Sequence, residues 1–402
     1  MAFVVAVGLG EGLLLASGDG VPDEDADADG LPVESAPSPD AGPQAVRATV
    51  STRRAAAVAS RAFMATRYCA MRIEREWIAE RHHRTVAARY SQRVNNETSS
   101  PGTVVVIGDA LIDEIRDDAG VRELVGGAAL NVAVGLRRLG VETTLIAMVG
   151  DDEPGAHIRE YLADHGVRLI ASAAPHGSSR AIVERAANGE PQYVFNEAAQ
   201  RRSIRYSDDA RQAITDAGLV AISCFPFDVP HEVDALVDAL GDARVAVDPN
   251  PRTGMLSDRA EFVRGFERLA ADAAIVKVGA DDAAILYDGD LDALRARLRD
   301  LGAAAVLATA GADGATIDVD AGVASAPISV LQGPIADTVG AGDATLAAVS
   351  AGLVQGSPTA LGEWSTLLER AMDIAAATCR AEGGLLRTPE SLADAGRGVH
   401  GS

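Results

Sequence analysis

From Thr103 onward, short apolar runs alternate with helix-length segments, and no other feature limits the possible folds as strongly. "TVVVIGD" reads as a buried strand, "GGAALNVAVGLRRLG" as a helix opened by small residues and closed by Gly140. "TTLIAMVG" is a second strand and "EPGAHIREYLADHG" a second helix, and the pattern returns in "AGLVAISC", "HEVDALVDALG", "RVAVDPNPR", "DAAIVKVG" and "AAAVLATAG". Strands that are apolar throughout, with helices between them, predict an α/β protein: a doubly wound, mostly parallel sheet flanked by helices. Ligands of such sheets bind outside the carboxyl ends of the strands, so the polar residues directly after each strand carry the functional information.

Two stretches interrupt the alternation. "DALIDEIRDDAG" and "RAIVERAANGEPQYVFNEAAQ" read as short strands with turns, the second turning at Asn188-Gly189. They predict a small antiparallel β lid built from about 110–122 and 172–203. The first hundred residues have a different character. "DGVPDEDADADGLPVESAPSPDAGP" is acidic, Pro-rich and poor in large apolar side chains, and an arginine-rich stretch follows it. Residues 1–100 are therefore expected to be a poorly ordered extension, and 101–396 the folded domain.

Composition narrows the function classes. A net charge of −22 argues against nucleic acid as a partner, because a phosphate backbone binds basic surfaces. Cys69, Cys224 and Cys379 lie far apart with no C-x-x-C pair, which points to a reducing cytoplasm without structural disulfides or zinc. The apolar opening "MAFVVAVGLGEGLLLASG" lacks a basic start, contains Glu11 and is short for a span, so no membrane partner is expected. No G-x-G-x-x-G follows the first strand, and neither a P-loop nor a nucleophile elbow is present.

The strand ends nevertheless carry a coherent set: Asp109 and Asp113, then Gly126, Gly127 and Asn131, then Asp248, Asn250 and Arg252. Lys277, the only lysine, follows with Asp281 and Asp282, and after it Thr309, Gly311, Asp313 and Gly314. Last comes "DTVGAGDAT", where Gly340, Ala341 and Gly342 separate Asp337 from Asp343 ahead of the helix-like "ATLAAVSAGL". Such a set suits phosphoryl transfer to a hydroxyl, which needs positioning and charge stabilisation more than covalent help. Backbone N–H groups of Gly340, Ala341 and Gly342 at a helix N-terminus would face developing phosphate charge. Asp343, ionised at neutral pH with an ordinary pKa of ~3.9, would accept the proton of the attacking hydroxyl; the alternative is that it merely caps the helix.

"DTVGAGD" and "GGAALNVAVGLRRLG" together resemble the two signatures of the ribokinase-like (PfkB) carbohydrate kinases, and "DPNPR" and "TAGADGA" resemble further segments in the expected order. The likeness runs from Thr103 to about Pro389. It implies an ATP-dependent sugar kinase using Mg2+, with K+ as a further candidate ion, and a β lid over the sugar; the exposed apolar side of the strand-like insertions, otherwise an edge liability, is expected to make a homodimer contact. Under it, Asp343 is the base and Gly340, Ala341 and Gly342 the anion hole. Asp113, Gly126, Gly127 and Asn131 match sugar-binding positions, with Asp109 beside them. Thr309, Gly311 and Gly314 match the nucleotide loop, and Asp248, Asn250 and Lys277 fall on the cofactor side. Asp337 lies where the family often binds a monovalent cation. Gly279 and Asp282 stand where the family usually has Asn or Ser and then Glu, so Asp282 reaches Mg2+ only through water.

"GDALID" and "DPNPR" look like the fructokinase branch, while "YVFNEAAQRRS" lacks an arginine at the place where several sugar-acid and fructose kinases carry one. Ribose, a 2-keto-3-deoxy sugar acid and a nucleoside stay open as acceptors. A non-catalytic sugar-binding regulator is the alternative from another class.

Overall fold

The computed structural model describes residues 102–117, 120–185 and 191–392. The expected N-terminal extension, the Asn188-Gly189 turn and the last residues of the chain lie outside them. The strands in the first half are β1 (Thr103–Gly108), β2 (Leu111–Asp117), β3 (Gly120–Gly126), β4 (Glu142–Met148), β5 (Arg168–Ser172), β6 (Ser179–Arg185) and β7 (Pro191–Phe195). The second half adds β8 (Leu219–Ser223), β9 (Val245–Asp248), β10 (Ile275–Gly279), β11 (Ala305–Thr309), β12 (Ala315–Val319) and β13 (Gly322–Ala326).

The main sheet has the order β13-β12-β11-β10-β9-β8-β1-β4-β5. From β11 to β5 every pairing is parallel, and the β12–β13 hairpin adds an antiparallel edge. Successive residues of β1 show why the sheet needs cover on both sides. Val104 and Val106 pack with Leu130, Leu346 and Met372 on one face, while Val105 and Ile107 pack with Ile146, Phe225 and Phe266 on the other. Strands buried on both faces must be apolar throughout, which is the pattern of "TVVVIG". The second face is tightened by Phe227, whose ring meets Phe225, Phe262 and Phe266 edge-on at 5.3–5.8 Å.

Reversal of the strand order around β1 brings the carboxyl ends of β1, β8, β9 and β10 to one crevice. The helix Ala341–Gln355 delivers its N-terminus there. It is buried almost all the way round, from Asp343 to Leu353, which accounts for the unbroken small and apolar run of its sequence.

The lid is a second sheet, ordered β3-β2-β6-β7. It consists of two antiparallel hairpins, β2–β3 and β6–β7, joined along a parallel β2–β6 edge. Val121, Leu124, Tyr193 and Val194 leave its apolar side chains exposed. Among the described residues, no helix is long and apolar enough to cross a membrane.

Candidate active site

The crevice gathers the strand-end residues, beginning with Asp343. The turn before it needs glycine: Gly340 sits at φ 78, and a Cβ there would lie 2.5 Å from the Gly384 Cα. Asp343 is 6% exposed and does not cap its helix. Its Oδ2 accepts a hydrogen bond from Asn131 Nδ2 at 2.9 Å, and Asn250 Nδ2 approaches Oδ1 at 3.5 Å. Of the cap and base alternatives, this geometry removes the first. Burial pushes the carboxyl up to about 6, against the lowering by Asn131, Arg252 and Lys277. The ordinary value assumed from sequence is thus too low, because the carboxylate has exchanged water for a protein interior. It is still mostly ionised at neutral pH, and better matched to accepting a proton there. In the turn itself, Ala341 N–H makes a long 3.3 Å bond back to the Thr338 carbonyl.

Beneath Gly342 lies the lone lysine. Lys277 Nζ donates to Asp248 Oδ2 at 2.8 Å, and a Cβ on Gly342 would stand 3.1 Å from the ammonium. Asp248 is fully buried and its Oδ1 has no hydrogen-bond partner. Sequence grouped both with the cofactor contacts; they form a buried ion pair under the turn that carries Gly342. Neighbouring carboxylates outweigh burial, so Lys277 is held above its ordinary pKa and stays charged.

At the other end of the crevice, Asp109 Oδ1 accepts the Ala129 N–H at 3.0 Å, and burial raises its pKa. Asp113 is pushed up to about 6 by burial and by Asp109. Gly126 and Gly127 make room for both acids. A Cβ at Gly126 would sit 2.2 Å from Asp113 Oδ2, and one at Gly127 would sit 2.9 Å from the Asp109 carbonyl.

On the far side, Thr309 Oγ1 donates to the Val278 carbonyl, and Gly311 and Gly314 take φ 57 and 88 around the turn after β11. Asp282 Oδ2 accepts from the Gly279 N–H, so one of its oxygens holds its own helix start. Burial beside Asp248 raises its pKa. Asp337 pins two loops, accepting from Val339 N–H at 3.0 Å and Gly383 N–H at 3.1 Å.

Sequence reasoning assigned no role to three participants. Arg252 lowers the pKa of Asp109, Asp113 and Asp343 alike, so its charge faces all three. Gly384 lets the loop cross Asn131, whose Nδ2 would be 2.4 Å from an added Cβ; the Gly-Gly pair in "AEGGLLR" was its visible sign. Arg202 enters from the segment after the lid, and nothing in the sequence marked it.

Comparison with known proteins decides the class, since the pfkB family carbohydrate kinase pattern matches residues 102–390. The chain belongs to the pfkB family of carbohydrate kinases. As a pfkB kinase it is an ATP-dependent phosphotransferase with an alcohol group as acceptor. A fructokinase of Rhizobium leguminosarum bv. trifolii is 33% identical over 264 residues, covering 62% of this chain and 79% of the relative. An ATP-dependent 6-phosphofructokinase of Thermoanaerobacterium thermosaccharolyticum is 27% identical over 267 residues, covering 63% and 82%. Among solved structures, the Salmonella enterica aminoimidazole riboside kinase complexed with aminoimidazole riboside and an ATP analog matches with a TM-score of 0.59 at 25% identity. That match covers 73% of this chain and 99% of the other.

Proposed function

We propose that this pfkB kinase transfers the γ-phosphoryl group of ATP to a hydroxyl of a fructose-like sugar, with Asp343 as the base. The observation that carries this reading is the Asp343 carboxylate itself: buried at a helix start, turned away from capping, and held by an amide from another element. The acceptor hydroxyl donates to Asp343. As its oxygen attacks the γ-phosphorus, the proton passes to the carboxylate and the bond to the β-phosphate oxygen breaks, releasing ADP. N–H groups of the Gly340, Ala341 and Gly342 turn stabilise the charge on the transferring group, and Ala341 gives up its long bond to Thr338 to do so. Lys277, held by Asp248, adds a fixed positive charge under Gly342.

Asp109, Asp113 and Asn131 bind the sugar in the space left by Gly126 and Gly127, and Asn250 orients the base. Thr309, Gly311 and Gly314 shape the nucleotide loop. Mg2+ neutralises phosphate charge in such reactions and keeps most of its waters. Among the described residues no group of three or more His, Cys, Asp or Glu side chains could hold a metal alone. The donor set therefore suits an ion carried by the nucleotide, with the second oxygen of Asp282 meeting it through water. Asp337 is the candidate for a monovalent cation, and the exposed apolar lid for a homodimer contact, which light scattering tests.

ATP consumption measured against D-fructose, D-ribose, 2-keto-3-deoxygluconate and a nucleoside tests the whole reading. ADP release with one of them is expected, fructose first. Sugar binding without ADP release would favour the non-catalytic regulator.

A further inference from the structure

We infer that Arg202 is a specificity-determining residue of the acceptor site, reading one hydroxyl of an uncharged sugar together with Asp109. This rests on the kinase reading above. A small cavity of about 10 Å³, room for a single hydroxyl or water, lies beside Asp109, and Ser179, Met148, Cys224 and Arg202 line it. Arg202 reaches it from the segment after the short helix Glu197–Gln200, with Nη1 donating to the Ala199 carbonyl at 3.1 Å. Its Nε is buried and has no hydrogen-bond partner. The charge is close enough to act on both Asp109 and the Cys224 thiol. Yet among the described residues Arg202 forms no ion pair within 4.0 Å. A buried donor and a buried carboxylate thus line the same cavity.

An orphaned buried N–H calls for an explanation, and among the described arginine nitrogens in that state only Arg202 Nε belongs to a residue lining this cavity, where a ligand hydroxyl would satisfy it. Another polar side chain at this end of the lid is already committed. Asn196 accepts from the N–H groups of Ala199 and Arg180 and donates to the Ser178 carbonyl. Arg202 keeps a buried donor for a substrate, beside the Ser179 hydroxyl that lines the same cavity.

The Arg202–Asp109 pair also sets the ligand's charge. A hydroxyl satisfies both partners at once: its oxygen accepts from Arg202 and its hydrogen goes to Asp109. A phosphate or carboxylate would satisfy Arg202 but bring like charge against Asp109, with Asp113 close behind it. With Arg252 counted as well, two arginines face two carboxylates, which leaves no net positive charge to draw an anion. The arrangement thus separates this chain from a kinase of phosphorylated sugars, although its relatives include a 6-phosphofructokinase as well as a fructokinase.

The test compares wild type, Arg202→Leu and Arg202→Lys with D-fructose, fructose 6-phosphate and 2-keto-3-deoxygluconate, with thermal melts of all three proteins. Wild type is expected to use the uncharged sugar at least about tenfold better, by kcat/KM, than either anion. Arg202→Leu should raise the sugar KM about tenfold or more, the usual loss for a hydrogen bond to a charged group, while the ATP KM holds. Arg202→Lys should recover part of that loss, and the melting temperatures should stay together. Preference for an anionic sugar overturns the inference. So does an unchanged sugar KM in Arg202→Leu, and so does an equal rise in sugar and ATP KM. If none of the three sugars is turned over by wild type, the kinase reading with these acceptors fails and takes the inference with it.

Discussion

Asn131 Nδ2 donates to Asp343 Oδ2 at 2.9 Å, joining the second turn's reach of one helix to the first turn of another across 212 positions of sequence. This bond stabilises the ionised carboxylate and opposes the upward push of burial. A base works only when deprotonated, so kcat should rise with pH through a limb near 6. Asn131→Ala removes a lowering influence, and the limb should move to higher pH. A limb that stays in place in the kcat profile would mean that Asn131 does not tune the base.

Lys277 and Asp248 form a pair that neither can leave without cost. Lys277→Met strands a fully buried carboxylate, and denaturant melts should show a loss of about 3–5 kcal/mol. Adding Asp248→Leu removes the stranded charge and should return most of that stability. Turnover should stay at least about tenfold down, because the charge under Gly342 is still gone. Recovery of turnover along with stability would reduce Lys277 to a structural role.

Gly126→Ala places a methyl where Asp113 Oδ2 now lies, 2.2 Å away. The obstacle is the tip of a side chain, so the lid should keep its fold while Asp113 turns aside. Sugar KM should rise about tenfold and ATP KM should hold, as for one lost hydrogen bond to a charged group. Equal rises in both constants would place Asp113 outside the sugar site.

The main sheet was legible because strands buried on both faces must be apolar from end to end, as in "TVVVIG" and "DAAIVKVG". The lid was legible through turn residues between short β runs. The β12–β13 hairpin was missed: β13, "GVASA", has side chains too small to give a strand signal, and edge strands carry little hydrophobic pattern. Asp343 stood out because three small residues precede it. Its raised pKa did not, since burial sets it against the opposing charges of Arg252 and Lys277, which lie far off along the chain. Arg202 was invisible for the same reason, because a cavity is a property of folded neighbours. Local pattern locates elements and tight glycine turns; distant pairing sets charge.

Stability should carry the mark of the buried base. The folded pKa of Asp343, about 6, lies above the ordinary 3.8, so the folded state binds its proton more tightly than the unfolded chain does. Stability is then lost as pH rises from about 4 through about 6. Asn at this position cannot ionise. Asp343→Asn should melt above wild type at pH 7, by roughly 1–3 kcal/mol, and the gain should vanish near pH 4. A less stable variant at pH 7 would show that the carboxylate serves the fold.

The most direct measurement is the turnover of Asp343→Asn with the accepted sugar and saturating ATP. If Asp343 is the base, kcat should fall by about 10²–10⁴-fold while the protein stays folded and ATP still binds. At about 1.36 kcal/mol per factor of ten, that is at least about 2.7 kcal/mol in the barrier, far outside assay error. Turnover within a few-fold of wild type would contradict the proposed mechanism at its centre.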